Sequence, residues 1–288
     1  MPESSKRSSR LHRGLHVGRP VRHVELTLAF CRDNTLVLKL YLFEGSCAAL
    51  TTRLELEHKS LRCELVYLPP VLHGFILGVR GFPRPSVPAI EVDGRRISGT
   101  LAISRALDEL RPDPPLFPSD PARRAAVEEA ERWGEEFQNA ARRILYCAAR
   151  RRPSAWGAMM AGGQRRPVRI ALRAAAPLLV PLAALYHRGL DRIGRDDIAS
   201  LPVRLDRIDA WIADGVLNGV DLNAADFEIA TNVRFLLTLE DLAPVIETRP
   251  AAAHARRVVR EFPAHFPPVL PRDWLEPLRR QAGRLRAT

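Results

Sequence analysis

The sequence has no apolar run long enough to span a membrane, for which about 20 consecutive apolar residues are needed. Its best candidate, residues 174–185, is short and contains Pro177 and Pro181. The apolar stretch near the N-terminus, residues 26–31, is too short for the core of a secretory signal peptide. These absences predict a cytoplasmic protein that does not contact a membrane.

Cysteine is scarce and scattered, with four residues in a chain of 288. No two of them form a CxxC pair, and no group of cysteine and histidine residues has the spacing of a zinc site. We therefore expect neither a disulfide framework nor a bound metal. The four residues are Cys31, Cys47, Cys63 and Cys147.

Lysine is scarcer still, since Lys6, Lys39 and Lys59 are the only three and arginine supplies the rest of the positive charge. The formal net charge of +11 lies mainly at the two ends of the chain. Residues 1–37 carry +4 and residues 249–288 carry +6, which leaves +1 for the middle. None of the sequence patterns of nucleic-acid-binding domains is present, so nucleic acid is not an expected partner.

The most informative stretch is residues 87–103, VPAIEVDGRRISGTLAI. Asp-Gly between two short apolar runs is a strong signal for a β-hairpin. Pro88 stands at the first position of a strand, where proline is tolerated, and its peptide bond can adopt the cis form. A helix is predicted to start at Ser98, a good N-cap residue, and to continue to about Leu110.

A second pattern, a buried strand followed by a tight turn and a helix, begins at residue 36. The strand, residues 36–43, is almost entirely apolar, as a central strand should be. Gly45 permits the turn, Ser46 can cap the helix and Cys47 follows it. A helix N-terminus can stabilise a thiolate and lower the pKa of a cysteine. Cys47 is therefore either a reactive thiol or a small buried residue, and Ser46 either a catalytic hydroxyl or only a cap.

The rest of the chain is predicted to be helical. Residues 112–120 are rich in proline and turn formers, which indicates a linker. In the long helix that follows, Trp133 and Phe137 either line a pocket or pack in the core. Asn223 and Asp226 have the spacing of a capping box at the start of an apolar helix. We predict an extension over residues 1–36, an α/β domain over 37–111, the linker, an all-helical domain over 121–262 and a tail over 263–288.

Together these patterns resemble the glutathione S-transferase family over residues 37–262. The stretch around Val87–Pro88 is similar to the second half of that family's thioredoxin-like domain. The strand, Gly-Ser-Cys turn and helix are similar to the first βα unit of its bacterial cysteine-using members. The resemblance implies a fold class of α/β plus all-α, in which a thioredoxin-like N-terminal domain precedes a transferase-type helical domain.

The resemblance also implies a thiol co-substrate, either glutathione or another low-molecular-weight thiol. Val87, before a cis Pro88, would pair its backbone with the cysteinyl part of glutathione. Gly99 and Thr100 would lie at the γ-glutamyl end, although Gly99 stands where the family has an acidic or amide side chain. Near the glycine end, where the family supplies a polar or basic residue, Arg80 and Arg84 are two possible residues without an aligned position.

The implied reaction joins the thiol to an electrophilic small molecule, with Cys47 or Ser46 as the activating residue and no metal. The oligomeric state stays open, and a homodimer is one candidate. Two alternatives remain. One is a glutathione-dependent thiol-exchange or reductase activity through a mixed disulfide at Cys47. The other is a non-catalytic binding or scaffold protein that has kept the fold.

Overall fold

The computed structural model of the chain describes residues 37–162, 164–262 and 264–285. The predicted N-terminal extension and Cys31 lie outside the described residues. Within these ranges a small mixed sheet is followed by a largely helical region, in the order that the sequence predicted.

A four-stranded sheet with the strand order β2–β1–β3–β4 forms the N-terminal part. Strand β1 pairs in parallel with β2 and antiparallel with β3, which in turn pairs antiparallel with β4. The parallel pair requires a crossover, and helix α1 supplies it. The strands are β1 Leu38–Leu42, β2 Glu64–Tyr67, β3 Ala89–Val92 and β4 Arg95–Ser98, and the helices of this part are α1 Cys47–His58, α2 His73–Val79 and α3 Thr100–Leu110.

The N-cap of α3 lies one residue after the predicted Ser98. Ser98 is the last residue of β4, where it lies opposite Ala89 in the ladder, so it does not cap the helix. The N-cap is Gly99, whose φ of 89° belongs to a region that side chains other than glycine rarely adopt. This backbone conformation turns the chain from the strand directly into the helix.

Eight helices follow within the described residues. Asp120 caps the first by accepting a hydrogen bond from the Arg123 N–H at 2.8 Å. The capping box predicted at Asn223 and Asp226 is present at the start of the fifth. The helices are α4 Pro121–Arg151, α5 Pro153–Met160, α6 Arg166–Tyr186, α7 Asp191–Ala213, α8 Ala224–Leu236, α9 Ala243–Ile246, α10 Pro250–Val258 and α11 Glu276–Leu285, with a short 3-10 turn at Arg272–Leu275.

Helix α8 is the centre of the helical part, because nearly all of its residues are buried and it packs against α1, α4 and α10. The apolar core is continuous from β1 to α8, so the sheet and the helices share it. Phe137 lies fully within this core and stacks on Trp133 with 5.2 Å between ring centroids. Packing, rather than pocket lining, is therefore the use of both aromatic residues.

Helix α6 is long and apolar enough, by length and composition, to cross a membrane. From the sequence we expect a helix over residues 168–190 that Pro177 and Pro181 bend or interrupt. The helix instead continues through both prolines. They lie four residues apart on one exposed side, so water can hydrate the carbonyl groups that lose an N–H partner. Of the most apolar window of this helix, 22% is buried.

Candidate active site

A cavity of about 350 Å³ lies between the sheet end of the molecule and helix α4. It is bounded by the N-termini of α1 and α3, which are far apart in the sequence. Helix α1 follows β1 and helix α3 follows the β3–β4 hairpin, and the two helix starts come together because β1 and β3 are neighbours in the sheet. All six residues that the sequence singled out line this cavity: Ser46, Cys47, Val87, Pro88, Gly99 and Thr100.

Ser46 is the N-cap of α1, as predicted. Its Oγ accepts a hydrogen bond from the Ala49 N–H at 3.3 Å. A hydroxyl has one proton and two acceptor lone pairs, so this contact leaves its proton free for a ligand. Ser46 can therefore cap the helix and donate to a sulfur anion in the cavity at the same time.

Cys47 is the first residue of α1, but its pKa does not follow from that position. Burial raises the pKa of the thiol to about 12, the nearby Glu228 adds to the rise, and the Arg142 guanidinium opposes it. The lowered pKa expected at a helix N-terminus is therefore not found, since desolvation of the thiolate outweighs the helix field. The thiol is protonated at neutral pH.

The loop before β3 presents its backbone to the cavity. The Val87–Pro88 peptide bond is cis. The Gly99 N–H donates to the Pro88 carbonyl at 3.0 Å, which ties this loop to the start of α3. Among the described residues, no protein group hydrogen-bonds the Val87 N–H or C=O, so both are available for a peptide-like ligand.

At the start of α3, a glycine leaves room for a charged side chain from another loop. Helix α3 has no side-chain cap. A Cβ atom on Gly99 would lie 3.4 Å from Nη1 of Arg84, and the same Nη1 lies 3.7 Å from Oε1 of Glu135. Of the two arginines possible at the glycine end, Arg80 lies over the Tyr41 ring, whereas Arg84 lies beside Gly99, at the predicted γ-glutamyl end.

The opposite wall comes from α4 and from the segment between α6 and α7. Arg142 donates to Oε1 of Gln138 at 2.6 Å and to Oδ1 of Asn139 at 3.1 Å, and it forms no ion pair within the described residues. His187 stacks on Tyr146 with 5.0 Å between ring centroids. Burial, helped by the Arg142 charge, lowers the pKa of His187 to about 4, so its ring is neutral.

The charged residues that line the cavity are thus two arginines and one glutamate, Arg84, Arg142 and Glu135. The net charge of these three residues is positive, which favours an anionic ligand. Arg142 is near enough to both Cys47 and His187 for its charge to lower the pKa of each. Sequence reasoning considered this helix as a pocket wall only through Trp133 and Phe137, and it missed the residues that form the wall. The signal was present, since residues 135, 138, 139, 142, 145 and 146 recur at the spacing of one helix face.

Behind the cavity, three glutamates are buried between α1, α4 and α8. The Gln138 amide donates to Oε1 of Glu228 at 3.4 Å. Burial raises the pKa of Glu228 to about 8, Glu131 and another acid add to the rise, and the Thr100 hydroxyl offsets part of it. Burial also raises the pKa of Glu55 and of Glu131. Glu228 is therefore mostly protonated at neutral pH, directly behind Thr100.

No group of three or more metal-ligating side chains occurs in the ranges of the chain that the structure describes. The cavity is instead lined by hydroxyl, amide and guanidinium groups together with free backbone groups. Such donors suit an organic ligand that carries carboxylates and an amide.

No protein-family model matches the chain. Among curated proteins, the maleylacetoacetate isomerase of Mus musculus is 35% identical over 92 residues, which are 31% of this chain and 43% of that protein. The probable maleylacetoacetate isomerase 1 of Drosophila melanogaster is 40% identical over 47 residues, or 16% of this chain and 19% of that protein. The chain thus matches less than half the length of these curated relatives.

Solved structures match over a larger share of the chain. A glutathione S-transferase from Sinorhizobium meliloti 1021 gives a TM-score of 0.53 at 20% identity and covers 77% of this chain and 87% of that one. The beta-etherase of Sphingobium sp. strain SYK-6 gives 0.52 at 19%, covering 77% and 100%. A glutathione S-transferase from Rhodospirillum rubrum F11 gives 0.50 at 21%, covering 84% and 99%.

These likenesses identify the fold as that of the glutathione S-transferases, a thioredoxin-like part followed by a helical part. The resemblance predicted from residues 37–262 is confirmed at this level.

Proposed function

We propose that the protein is a glutathione-transferase-like enzyme. It binds a thiol co-substrate, glutathione or another low-molecular-weight thiol, in the cavity and joins its sulfur to an electrophilic small molecule. The observation that supports this most strongly is the convergence of a free hydroxyl, free backbone groups before the cis proline and an uncapped helix start in one cavity. They suit, in that order, the sulfur, the cysteinyl backbone and the γ-glutamyl carboxylate of glutathione.

In this proposal Ser46 is the catalytic residue that holds the sulfur as a thiolate. Its hydroxyl donates to the anion while its oxygen stays fixed by the Ala49 N–H. A hydrogen bond to a charged group contributes about 1.5–3 kcal/mol, and the start of α1 adds its dipole. The bound thiol releases its proton to water, and a sulfur lone pair forms the new C–S bond at the electrophilic carbon. In a substitution the bond to the leaving group breaks and its electron pair departs with that group. In an addition the electron pair moves into the conjugated acceptor, which takes up a proton from water.

The raised pKa of Cys47 favours this transferase over the thiol-exchange alternative. A mixed disulfide requires Cys47 to react as a thiolate. With its pKa raised to about 12, Cys47 is almost entirely protonated at pH 7. Exchange through Cys47 would therefore be slow unless ligand binding changes its surroundings, whereas activation of a bound thiol by Ser46 does not need ionised Cys47.

A second candidate is isomerisation of maleylacetoacetate, the substrate that the names of the curated relatives give. That substrate is an anion, and Arg142 offers the cavity a positive charge that no carboxylate among the described residues neutralises. We further expect a cytoplasmic homodimer with a role in detoxification, as the resemblance implies.

The test compares Ser46→Ala and Cys47→Ala in thiol conjugation with a generic aromatic electrophile, in maleylacetoacetate isomerisation and in calorimetric titration with glutathione. Cys63→Ala is the matched control, because Cys63 is a half-buried thiol that does not line the cavity. We expect Ser46→Ala to lower kcat/KM about ten- to a hundredfold. Cys47→Ala and the control should stay within about threefold of the parent.

Loss of activity in Cys47→Ala with full activity in Ser46→Ala would instead support exchange chemistry. Absence of thiol binding by the parent would support the non-catalytic alternative.

A further inference from the structure

The second half of α4 carries four arginines, and three of them are neutralised by aspartates of α7. These three are Arg143, which pairs with Asp197 at 2.7 Å, and Arg150 and Arg151, which pair with Asp191 at 3.2 Å and 2.9 Å. The fourth, Arg142, lines the cavity, and no carboxylate among the described residues pairs with it. Its positive charge is therefore available to a ligand.

Neutral side chains hold Arg142 in place. It donates to Oε1 of Gln138 at 2.6 Å and to Oδ1 of Asn139 at 3.1 Å. Gln138 is buried, and its own amide donates to Oε1 of Glu228 at 3.4 Å, so the guanidinium is anchored to the core through α8. The N–H donors that these contacts do not use keep the fork geometry in which a guanidinium binds a carboxylate through two hydrogen bonds.

The cavity has a second cationic point, which lies further towards the start of α4. Arg84, beside the start of α3, lies 3.7 Å from Oε1 of Glu135. Glu135 and Arg142 are about two turns, or about 10 Å, apart along α4. The γ-glutamyl carboxylate of the thiol, which we expect at the start of α3, therefore has Arg84 and free N–H groups as partners and does not require Arg142.

Arg142 lies instead at the sulfur end of the cavity. Its charge lowers the pKa of the Cys47 thiol and of His187 more than any other charge does. The wall beside it is largely apolar, because Leu145 and the Tyr146 ring follow one turn along α4 and Met160 of α5 lies in the same cavity. An electrophile that reacts at the sulfur would therefore meet an apolar surface and one fixed positive charge.

We propose that the electrophile carries a carboxylate and that Arg142 binds this group while the electrophilic carbon lies at the sulfur. This assignment rests on the transferase function proposed above and narrows its substrates to carboxylic acids with an apolar skeleton. Arg142 takes no part in the bond changes, and it determines specificity by holding the anion. Maleylacetoacetate belongs to this class, as do aromatic and conjugated acids.

The test uses two electrophiles with the same ring and leaving group, 4-chloro-3,5-dinitrobenzoate and its neutral amide, with glutathione as the thiol. Each kcat/KM is divided by the uncatalysed rate constant. Calorimetric titration measures the binding of glutathione and of the unreactive 3,5-dinitrobenzoate. Arg142→Gln removes the charge and Arg142→Lys keeps it. Arg150→Gln is the control, because Arg150 is an exposed arginine of the same helix that does not line the cavity.

We expect the parent to prefer the benzoate to the amide by about ten- to a hundredfold, the value of hydrogen bonds to a charged group. Arg142→Gln should lose this preference and bind 3,5-dinitrobenzoate more weakly by the same factor. Arg142→Lys should recover part of both, and the control should match the parent.

A parent that treats the benzoate and the amide alike, or an Arg142→Gln variant that keeps the preference, would overturn the proposal. So would a loss of glutathione affinity in Arg142→Gln as large as its loss of 3,5-dinitrobenzoate affinity, since Arg142 would then belong to the thiol site. If neither electrophile reacts, binding of 3,5-dinitrobenzoate that depends on Arg142 would still support the anion site, and the transferase function alone would fail.

Discussion

Two helices of this protein begin in opposite ways, and the difference separates a structural helix start from one that can receive a ligand. Helix α8 starts with a complete capping box, in which Asn223 and Asp226 satisfy each other's backbone N–H groups. Helix α3 starts at Gly99, which has no side chain to offer to the first turn. The N–H groups that α8 uses internally are left free by α3, at the wall of the cavity.

Helix α1 lies between these two cases. The Ser46 hydroxyl accepts a hydrogen bond from one N–H group of the first turn, and its proton can still be donated to a ligand in the cavity. The comparison teaches that capping and ligand binding compete for the same backbone donors. Helix α8, at the centre of the core, has a complete N-terminal cap, whereas α1 and α3, which face the cavity, have donors that can still bind a ligand.

The largest effect on stability is expected when the capping box of α8 is removed. In Asp226→Ala, the N–H groups of Asn218 and Asn223 lose their acceptors, at 2.7 Å and 2.9 Å in the native protein. A hydrogen bond to a charged acceptor contributes about 1.5–3 kcal/mol, so the loss of two should lower the free energy of unfolding by about 3–6 kcal/mol. Asp120→Ala, at the exposed cap of α4, should cost about 1 kcal/mol. Urea unfolding measures both, and equal losses would contradict the role given to the α8 cap.

A smaller, pH-dependent effect on stability is expected at Glu228. This residue of α8 lies behind Thr100, the first residue of α3. Its pKa is about 8 in the folded protein and near 4.5 in the unfolded chain. Between these values the folded state holds a proton that the unfolded state has lost, so stability falls as the pH rises through this window. Glu228→Gln removes this proton uptake. Its melting temperature should match the parent near pH 5 and exceed it by several degrees at pH 8.

Scanning calorimetry at the two pH values checks this, with Glu240→Gln as a control at a partly exposed acid of the same part of the chain. A Glu228→Gln variant that is less stable than the parent at pH 8 would show that the carboxylate is ionised and paired in the folded state.

The smallest effect is a change in thiol affinity, expected when the uncapped start of α3 is altered. Gly99 and Gly94 both have a positive φ, of 89° and 83°, and Gly94 has no atom within 4 Å of a Cβ position. Alanine at either position should cost about 1–3 kcal/mol of backbone strain. Only Gly99→Ala adds an atom beside Arg84 in the cavity, so only this variant should change thiol affinity, by a few-fold. Calorimetric titration with glutathione measures the affinity of both variants. An equal change in the two would show that Gly99 has no specific role in thiol binding.

Much of the candidate site could be predicted because its residues belong to local patterns. The Asp-Gly hairpin, the glycine and serine before Cys47, and the Asn-x-x-Asp box each depend on neighbours within a few residues. The bounds of α3 were displaced, since the ladder keeps Ser98 in β4, a pairing between two strands that the helix-start signal does not contain. The continuation of α6 through two prolines was missed because it depends on which side of the helix faces water.

By itself the sequence determined the order of the elements, the helix start at Ser46, and the glutathione S-transferase fold that these imply. Only the tertiary structure decided that Cys47 is a protonated thiol, that Arg142 faces the same cavity and that α6 exposes its leucines. The reason is physical. Turns and caps form through hydrogen bonds between residues close in the chain, whereas desolvation and the field of distant charges exist only after elements far apart in sequence have packed together.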